Sequence, residues 1–336
     1  MANRRKSKLL SVGLVLALCV GLLAGCGGIK FLKKGNTLDS DRKKKVVLIA
    51  KSTESAFWQS VFSGADAAGT EYNMELLTRG PKNEEDYQTQ NDMIEEAVAD
   101  GADAIIFSAI DYEENADAIN AAAQKGVKII VIDSDVNSSR VECRIGTDNY
   151  EAGQMAGKAA LEGSEDKIYV GVINFDKVSE NGQTREQGMM DVLKEDDRAV
   201  IVESVNARST IDSAKSATIQ MLEEHPEINV LVTFNEWTSL GVGYAIQELE
   251  AGDRIRVVAF DSNVVSVDML ESGEVDALIV QNPYAMGYIG VESAYKALNG
   301  YAIPEKEIDT ETKLVVKENM YSEACQRMLF TFEETR

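Results

Sequence analysis

Val46-Val47-Leu48-Ile49-Ala50-Lys51-Ser52-Thr53-Glu54-Ser55-Ala56-Phe57-Trp58 is the stretch on which the fold turns. Its first five residues are apolar and mostly β-branched, the length and chemistry of a buried strand. A polar loop follows, and then Phe57, Val61, Ala65 and Ala68 recur at three- and four-residue spacing, the stripe of a helix lying on a core. The same unit returns down the chain. Short apolar runs at 46–50, 75–77, 104–107, 127–132, 168–173, 200–205, 230–234, 255–260 and 277–280 read as strands. Helical patterns separate them, among them Met93 with Ala97, Ile119 with Ala122 and Ala123, and Ile219 with Leu222. Such repetition predicts parallel sheets covered by helices on both faces. Nine strands are more than one such sheet usually carries, so the expectation is an α/β protein of two doubly wound parallel-sheet lobes. Gly146-Thr147-Asp148-Asn149, midway along and followed by a helical pattern from Tyr150, is where the chain is expected to change lobe.

The 336 residues, 44% hydrophobic, suffice for two domains with substantial cores. Acids outnumber bases 56 to 34 for a net charge of -22, whereas a nucleic-acid partner needs clustered Lys and Arg. Nucleic acid is therefore not an expected partner. A lone histidine, His225, rules out a metal site with two His ligands, and its place before Pro226 reads as a helix end. Asp133-Ser134-Asp135-Val136-Asn137 begins like a calcium loop, but Ser138 replaces the turn glycine and Arg144 the final glutamate. No metal is expected. The loop after the first strand has no glycine, so the G-x-G-x-x-G cradle of a dinucleotide site is missing. Gly241-Val242-Gly243 lies inside a helical pattern and reads as close helix packing. No cofactor is expected.

At the N-terminus, Arg4, Arg5, Lys6 and Lys8 precede an apolar run over 9–23 that suits a signal peptide and is short for a membrane span. It closes on Leu23-Ala24-Gly25-Cys26, the pattern of the bacterial lipobox, whose cysteine thiol receives a diacylglyceryl group and becomes the mature N-terminus. Residues 1–25 are then the signal, Cys26 the lipidation site bearing palmitate-type chains, and 26–44 a basic tether. The folded body is expected on the extracytoplasmic face of the cell membrane, anchored by its lipid. Cys19 leaves with the signal, and an exported compartment permits a disulfide between the remaining Cys143 and Cys325, although spacing does not establish one.

In doubly wound sheets, ligands meet the loops beyond the carboxyl ends of the strands. Those loops hold Lys51 and Ser55 with Phe57 and Trp58, then Asp111, Asp133 and Asp135, Arg185, Asn235, Asp261 and Gln281. Vicinal sugar hydroxyls donate and accept together, which Asp, Asn, Arg and Gln match at two points, while the C–H faces pack on aromatic rings. The set fits a neutral sugar. Each member has a plainer reading too, because strand-end Asp and Asn cap helices and Phe57 or Trp58 suit a core. Recurrence at successive strand ends favours a ligand site.

Over residues 45–319 the chain resembles a known family, the type 1 periplasmic sugar-binding proteins of ABC importers, above all the ribose and allose binders. Lys51 to Trp58 is similar to that family's first-strand loop, with Lys51 as in the allose type and Phe57-Trp58 as the aromatic pair that sandwiches the sugar. Val131-Ile132-Asp133-Ser134-Asp135 resembles the strand ending in a ligand Asp, with Ser134 where ribose binders carry an arginine. Thr184-Arg185-Glu186, Phe234-Asn235-Glu236, Phe260-Asp261-Ser262 and Val280-Gln281-Asn282 match further ligand positions in the family's order. Around Ala207-Arg208-Ser209 those binders place an aromatic residue that this chain lacks, which leaves Trp237 as the candidate for a second stacking wall.

The resemblance implies a pentose or hexose held between two lobes joined by a three-segment hinge, with crossings near 147–148, 281–282 and 311–312. The lobes are then 45–147 plus 282–311 and 148–281 plus 312–320, with a tail over 321–336. It also implies a binding protein rather than an enzyme, with an ABC permease and its ATPase subunit as partners; a monomer is expected. Two other classes remain open in the sequence. The same binder can present its ligand to a sensor kinase or chemoreceptor, and an extracytoplasmic enzyme can work with paired carboxylates such as Asp133 and Asp135 or Asp261.

Overall fold

The computed structural model describes residues 42–163 and 166–330. The signal, Cys26 and the tether up to residue 41 lie outside the described residues. In the first lobe, β1 (Lys45–Ile49), β2 (Glu75–Arg79), β3 (Ala104–Phe107), β4 (Lys128–Ile132) and β5 (Cys143–Gly146) alternate with α1 (Ala56–Glu71), α2 (Tyr87–Ala99) and α3 (Ala116–Gln124). The second lobe repeats the plan. There α4 (Asn149–Leu161) leads into β6 (Ile168–Asn174), α5 (Glu180–Lys194), β7 (Ala199–Asn206), α6 (Ile211–Glu224), β8 (Val230–Thr233), α7 (Glu236–Glu248), β9 (Arg256–Phe260), α8 (Val264–Ser272) and β10 (Ala277–Val280). The chain then returns to the first lobe in α9 (Pro283–Leu298) and β11 (Glu307–Asp309), and ends in the second with β12 (Lys313–Val316) and α10 (Glu323–Leu329).

The sheets have the orders β11-β5-β4-β3-β1-β2 and β12-β10-β9-β8-β6-β7. Each is a doubly wound sheet with one strand added at its edge, and among the described pairs only β10 and β12 run antiparallel. Side chains alternate between the faces of a strand. Val46 and Leu48 accordingly enter one apolar cluster and Val47 and Ile49 another. In the second lobe Val257 and Ala259 part from Val258 and Phe260 in the same way. Strands covered on both faces read as unbroken apolar runs, which is why the sequence displays them.

Close helix packing ties the returning segment down. A Cβ on Gly64 of α1 would strike the Tyr284 carbonyl oxygen of α9, and one on Gly287 would strike that of Val61. Gly241 of α7 is similarly pressed against Ile211 and Ala214 of α6.

Three strands escaped the sequence reading. β5 is Cys143-Arg144-Ile145-Gly146, an alternation interrupted by an arginine; β11 is a three-residue edge strand with two acids; β12 is an antiparallel edge. The disulfide is absent: Cys143 and Cys325 are free thiols, buried in the cores of different lobes. Part of the expected tail over 321–336 is structured, since α10 buries Cys325, Met328 and Leu329 in the second lobe. Among the described residues, no helix is long and apolar enough to cross a membrane.

Candidate functional site

Residues that follow the carboxyl ends of β1, β4, β6, β8, β9 and β10 converge on a chamber between the lobes. Lys51, Ser55, Phe57, Trp58, Glu84 and Asp133 line it from the first lobe. Phe175, Asn181, Arg185, Asn235, Glu236, Trp237 and Asp261 line it from the second, with Gln281 at the crossing.

The first-lobe wall is built on the start of α1. Ser55 is its N-cap, accepting from the Trp58 N–H at 3.2 Å. That cap fixes the helix so that Phe57 and Trp58, edge to face at 5.2 Å, stand at the chamber while also packing into the lobe core. The Trp58 indole donates to Glu84 Oε1 at 2.9 Å. Opposite them, Phe175 and Trp237 are the aromatic side chains of the second lobe. No aromatic residue stands at 207–209, and Ser209 instead donates to Glu84 Oε2 at 2.8 Å.

Arg185 is the hub of the floor. It is 1% exposed, and its guanidinium donates to Asn149 Oδ1 at 2.9 Å, to the Phe234 carbonyl at 2.8 Å and to Gln281 Oε1 at 2.8 Å. Its carbon lies 5.0 Å from the centre of the Phe260 ring, a cation–π contact. Gln281 in turn donates to Asp261 Oδ1 at 2.6 Å and accepts from Thr147 at 2.9 Å, and Thr312 donates to Thr147 at 3.3 Å. The three segments that link the lobes are thus wired to the floor of the chamber.

Asp133 and Asp261 are the floor's carboxylates. Asp133 accepts from Ser108 at 2.9 Å and, across the cleft, from Asn181 at 3.1 Å. Asp261 accepts from Gln281, and among the described residues no hydrogen bond reaches its second oxygen. Burial pushes the Asp261 carboxyl up to about 7 against the pull of Arg185 and Gln281, with Glu236 and Asp133 adding to the rise. Lys51 is 2% exposed with its ammonium 4.9 Å from the centre of the Phe175 ring; among the described residues it has no hydrogen bond or ion pair.

Two expected site residues lie elsewhere. Asp111 accepts the N–H groups of Glu113 and Glu114, both at 2.9 Å, and so caps a turn outside the chamber. Asp135 is held by Arg144 at 2.7 Å and, instead of the chamber, lines a second cavity beside the crossing at 146–149 that Asp133 also lines. His225 is the C-cap of α6 and faces Glu203 and Glu227. The sequence reading passed over Glu84, Phe175, Asn181 and Glu236. Phe175 follows a strand and Asn181 stands one helical turn before Arg185, so both carried a signal; Glu84, on the loop after β2, carried none.

A family model described as a periplasmic binding protein domain matches residues 46–302. The chain belongs to that family. Over 281 residues, 81% of this chain and 87% of the relative, this periplasmic binding protein is 25% identical to the D-ribose/D-allose-binding protein of Pseudomonas aeruginosa. It is 25% identical over 311 residues to the ribose import binding protein of Bacillus subtilis, covering 90% of this chain and 98% of that one. Its structure is similar to a carbohydrate transporter solute-binding protein from Agrobacterium radiobacter in complex with D-arabinose, with a TM-score of 0.83, 28% identity and coverage of 86% of this chain and 100% of that one. Each of these three is a binding protein and not an enzyme.

Proposed function

We propose that this periplasmic binding protein captures one neutral pentose or hexose in the chamber and delivers it to an ABC importer, a permease with its ATPase subunit. The observation that carries the reading is the state of Lys51 and Asp261. Most other polar groups of the floor are satisfied by protein, whereas among the described residues the Lys51 ammonium has no acceptor and the second Asp261 oxygen no donor, and both residues line the chamber. Both are available to a ligand that supplies the missing acceptor and donor. Hydroxyl groups accept from the first and donate to the second, and aromatic rings on both sides suit the C–H faces of a sugar ring.

In this reading the lobes, 45–147 plus 282–311 and 148–281 plus 312–320 with the helix α10 added, close about the three crossings as ligand enters. The protein acts as a monomer, tethered by a lipid on Cys26 to the extracytoplasmic face of the cell membrane. Family membership, the sugar-binding relatives and the lipobox pattern support this account. A thermal-shift screen tests it, because a ligand bound to the native state raises apparent stability. Pentoses or hexoses are expected to raise the midpoint; a response confined to amino acids, peptides or nucleosides overturns the ligand class.

A further inference from the structure

Asn235 was expected to hold the ligand, yet its amide has no capacity left. Its oxygen accepts from the Thr238 N–H at 3.0 Å and the Thr238 hydroxyl at 2.6 Å, closing the capping box at the start of α7. Its nitrogen donates to Ser209 at 2.7 Å and to Glu84 Oε2 at 3.1 Å. An asparagine side chain offers two donor hydrogens and two acceptor lone pairs, and all four are taken. Glu84 belongs to the other lobe. Its Oε1 accepts from Trp58 of its own lobe, while Oε2 accepts from Ser209 and Asn235 across the cleft.

The mirror of this arrangement lies beside it. Glu236, the first residue of α7 in the second lobe, is 6% exposed. Its carboxylate accepts the Ala56 N–H at 3.2 Å and the Phe57 N–H at 3.0 Å, the first two of α1 in the first lobe, and is steadied by Asn263 at 2.9 Å. Those N–H groups have no partner within their own helix. A carboxylate at the positive end of a helix is favoured, and hydrogen bonds to an ionised acceptor are stronger than neutral ones. Each lobe thus extends one carboxylate to the donors of the other.

We propose that Glu84 and Glu236 form a reciprocal clasp that favours the closed arrangement of the lobes, and that they are positioning residues: they set Trp58 and Phe57 around the ligand, lock Asn235 into the scaffold and fix the closed fraction of the free protein. The inference rests on the sugar-binding reading only for what fills the chamber. A protein that is competent for a fraction of the time binds with affinity reduced by that fraction, so loss of the clasp weakens capture without removing a ligand contact.

The test measures closure and binding separately. Spin labels on cysteines introduced at exposed Gln88 of α2 and Ser216 of α6 report the interlobe distance in the full chain, and titration with D-ribose, D-allose and D-arabinose reports affinity. Glu84→Ala and Glu236→Ala are expected to shift the free protein toward the longer distance and to weaken binding at least about tenfold. Glu84→Gln, which keeps one acceptor oxygen, restores part of both, and Lys51→Met weakens binding with the distance unchanged. A wild-type protein with no closed population when free, or an unchanged distance in Glu84→Ala and Glu236→Ala, overturns the clasp. Failure of all three sugars to bind the wild type tells against the sugar reading, while the distances still decide the clasp.

Discussion

Asp133 and Asp261 hold the same station in the two lobes and share an unusual backbone: each follows the fourth strand of its lobe, β4 or β9, with φ of 58° and 67°. Left-handed backbone is disfavoured by a Cβ, though aspartate tolerates it better than most residues. Both strained positions lie at the chamber, where the turn directs a carboxylate at the floor.

A pair of substitutions isolates that strain. Asp261→Gly and Asp261→Ala both delete the carboxylate, but only alanine keeps a Cβ at positive φ. The glycine variant is expected to be the more stable in urea by about 1–2 kcal/mol, and both are expected to lose sugar binding. Equal stability would show that the turn is relaxed.

The raised Asp261 carboxyl gives a signed pH dependence. Between its ordinary 3.8 and about 7, the folded protein keeps a proton that the unfolded chain releases. Its contribution to stability therefore falls as pH rises through that window and is flat above it. Comparing wild type with Asp261→Asn in denaturation at several pH values is expected to show a steeper fall in the wild type, since the raised carboxyls of Glu180, Glu236 and Asp276 are common to both. Sugar hydroxyls that donate to the carboxylate favour its ionised form, so affinity is expected to fall below about pH 7. Calorimetry near pH 6 in buffers of different ionisation enthalpy should register proton release.

Arg185 and Lys51, both buried cations at the chamber, are expected to respond in opposite ways. Arg185→Met strips the guanidinium from Asn149, Phe234 and Gln281 and leaves Asp261 uncompensated, which should cost about 3 kcal/mol in chemical denaturation of the free protein. Lys51→Met removes an ammonium that no protein acceptor satisfies among the described residues. Its stability should hold while sugar affinity drops at least about tenfold. Equal destabilisation by the two changes would place Lys51 in the scaffold.

Lipid anchoring has its own check. Cys26→Ser is expected to abolish incorporation of labelled fatty acid and to release any processed protein into the medium. Unchanged labelling would remove the lipobox reading.

The fold was legible because its central strands are covered on both faces. In Ala104-Ile105-Ile106-Phe107 all four residues are buried, so the apolar signal is unbroken and its length is that of a strand. β11, by contrast, has Glu307 and Asp309 in three edge residues, and its partnership with β5 depends on a chain return that no local pattern announces. The chamber shows the same division. The strand-end rule pointed to Lys51, Asp133, Asp261 and Gln281, which line it, and also to Asp111, which the same rule cannot tell from a turn cap. Glu84 and Glu236 gain their roles only when the lobes meet, through partners 125 and 179 residues away in sequence.

A crystal structure of the protein grown with a monosaccharide that raises its thermal midpoint decides whether a single sugar completes Lys51 and Asp261. One sugar ring is expected in the chamber between Phe57 or Trp58 and Phe175 or Trp237, with a sugar oxygen within hydrogen-bond distance of Lys51 Nζ and a hydroxyl donating to Asp261. A sugar seated elsewhere, or one that leaves both of these groups without a partner, would contradict that expectation.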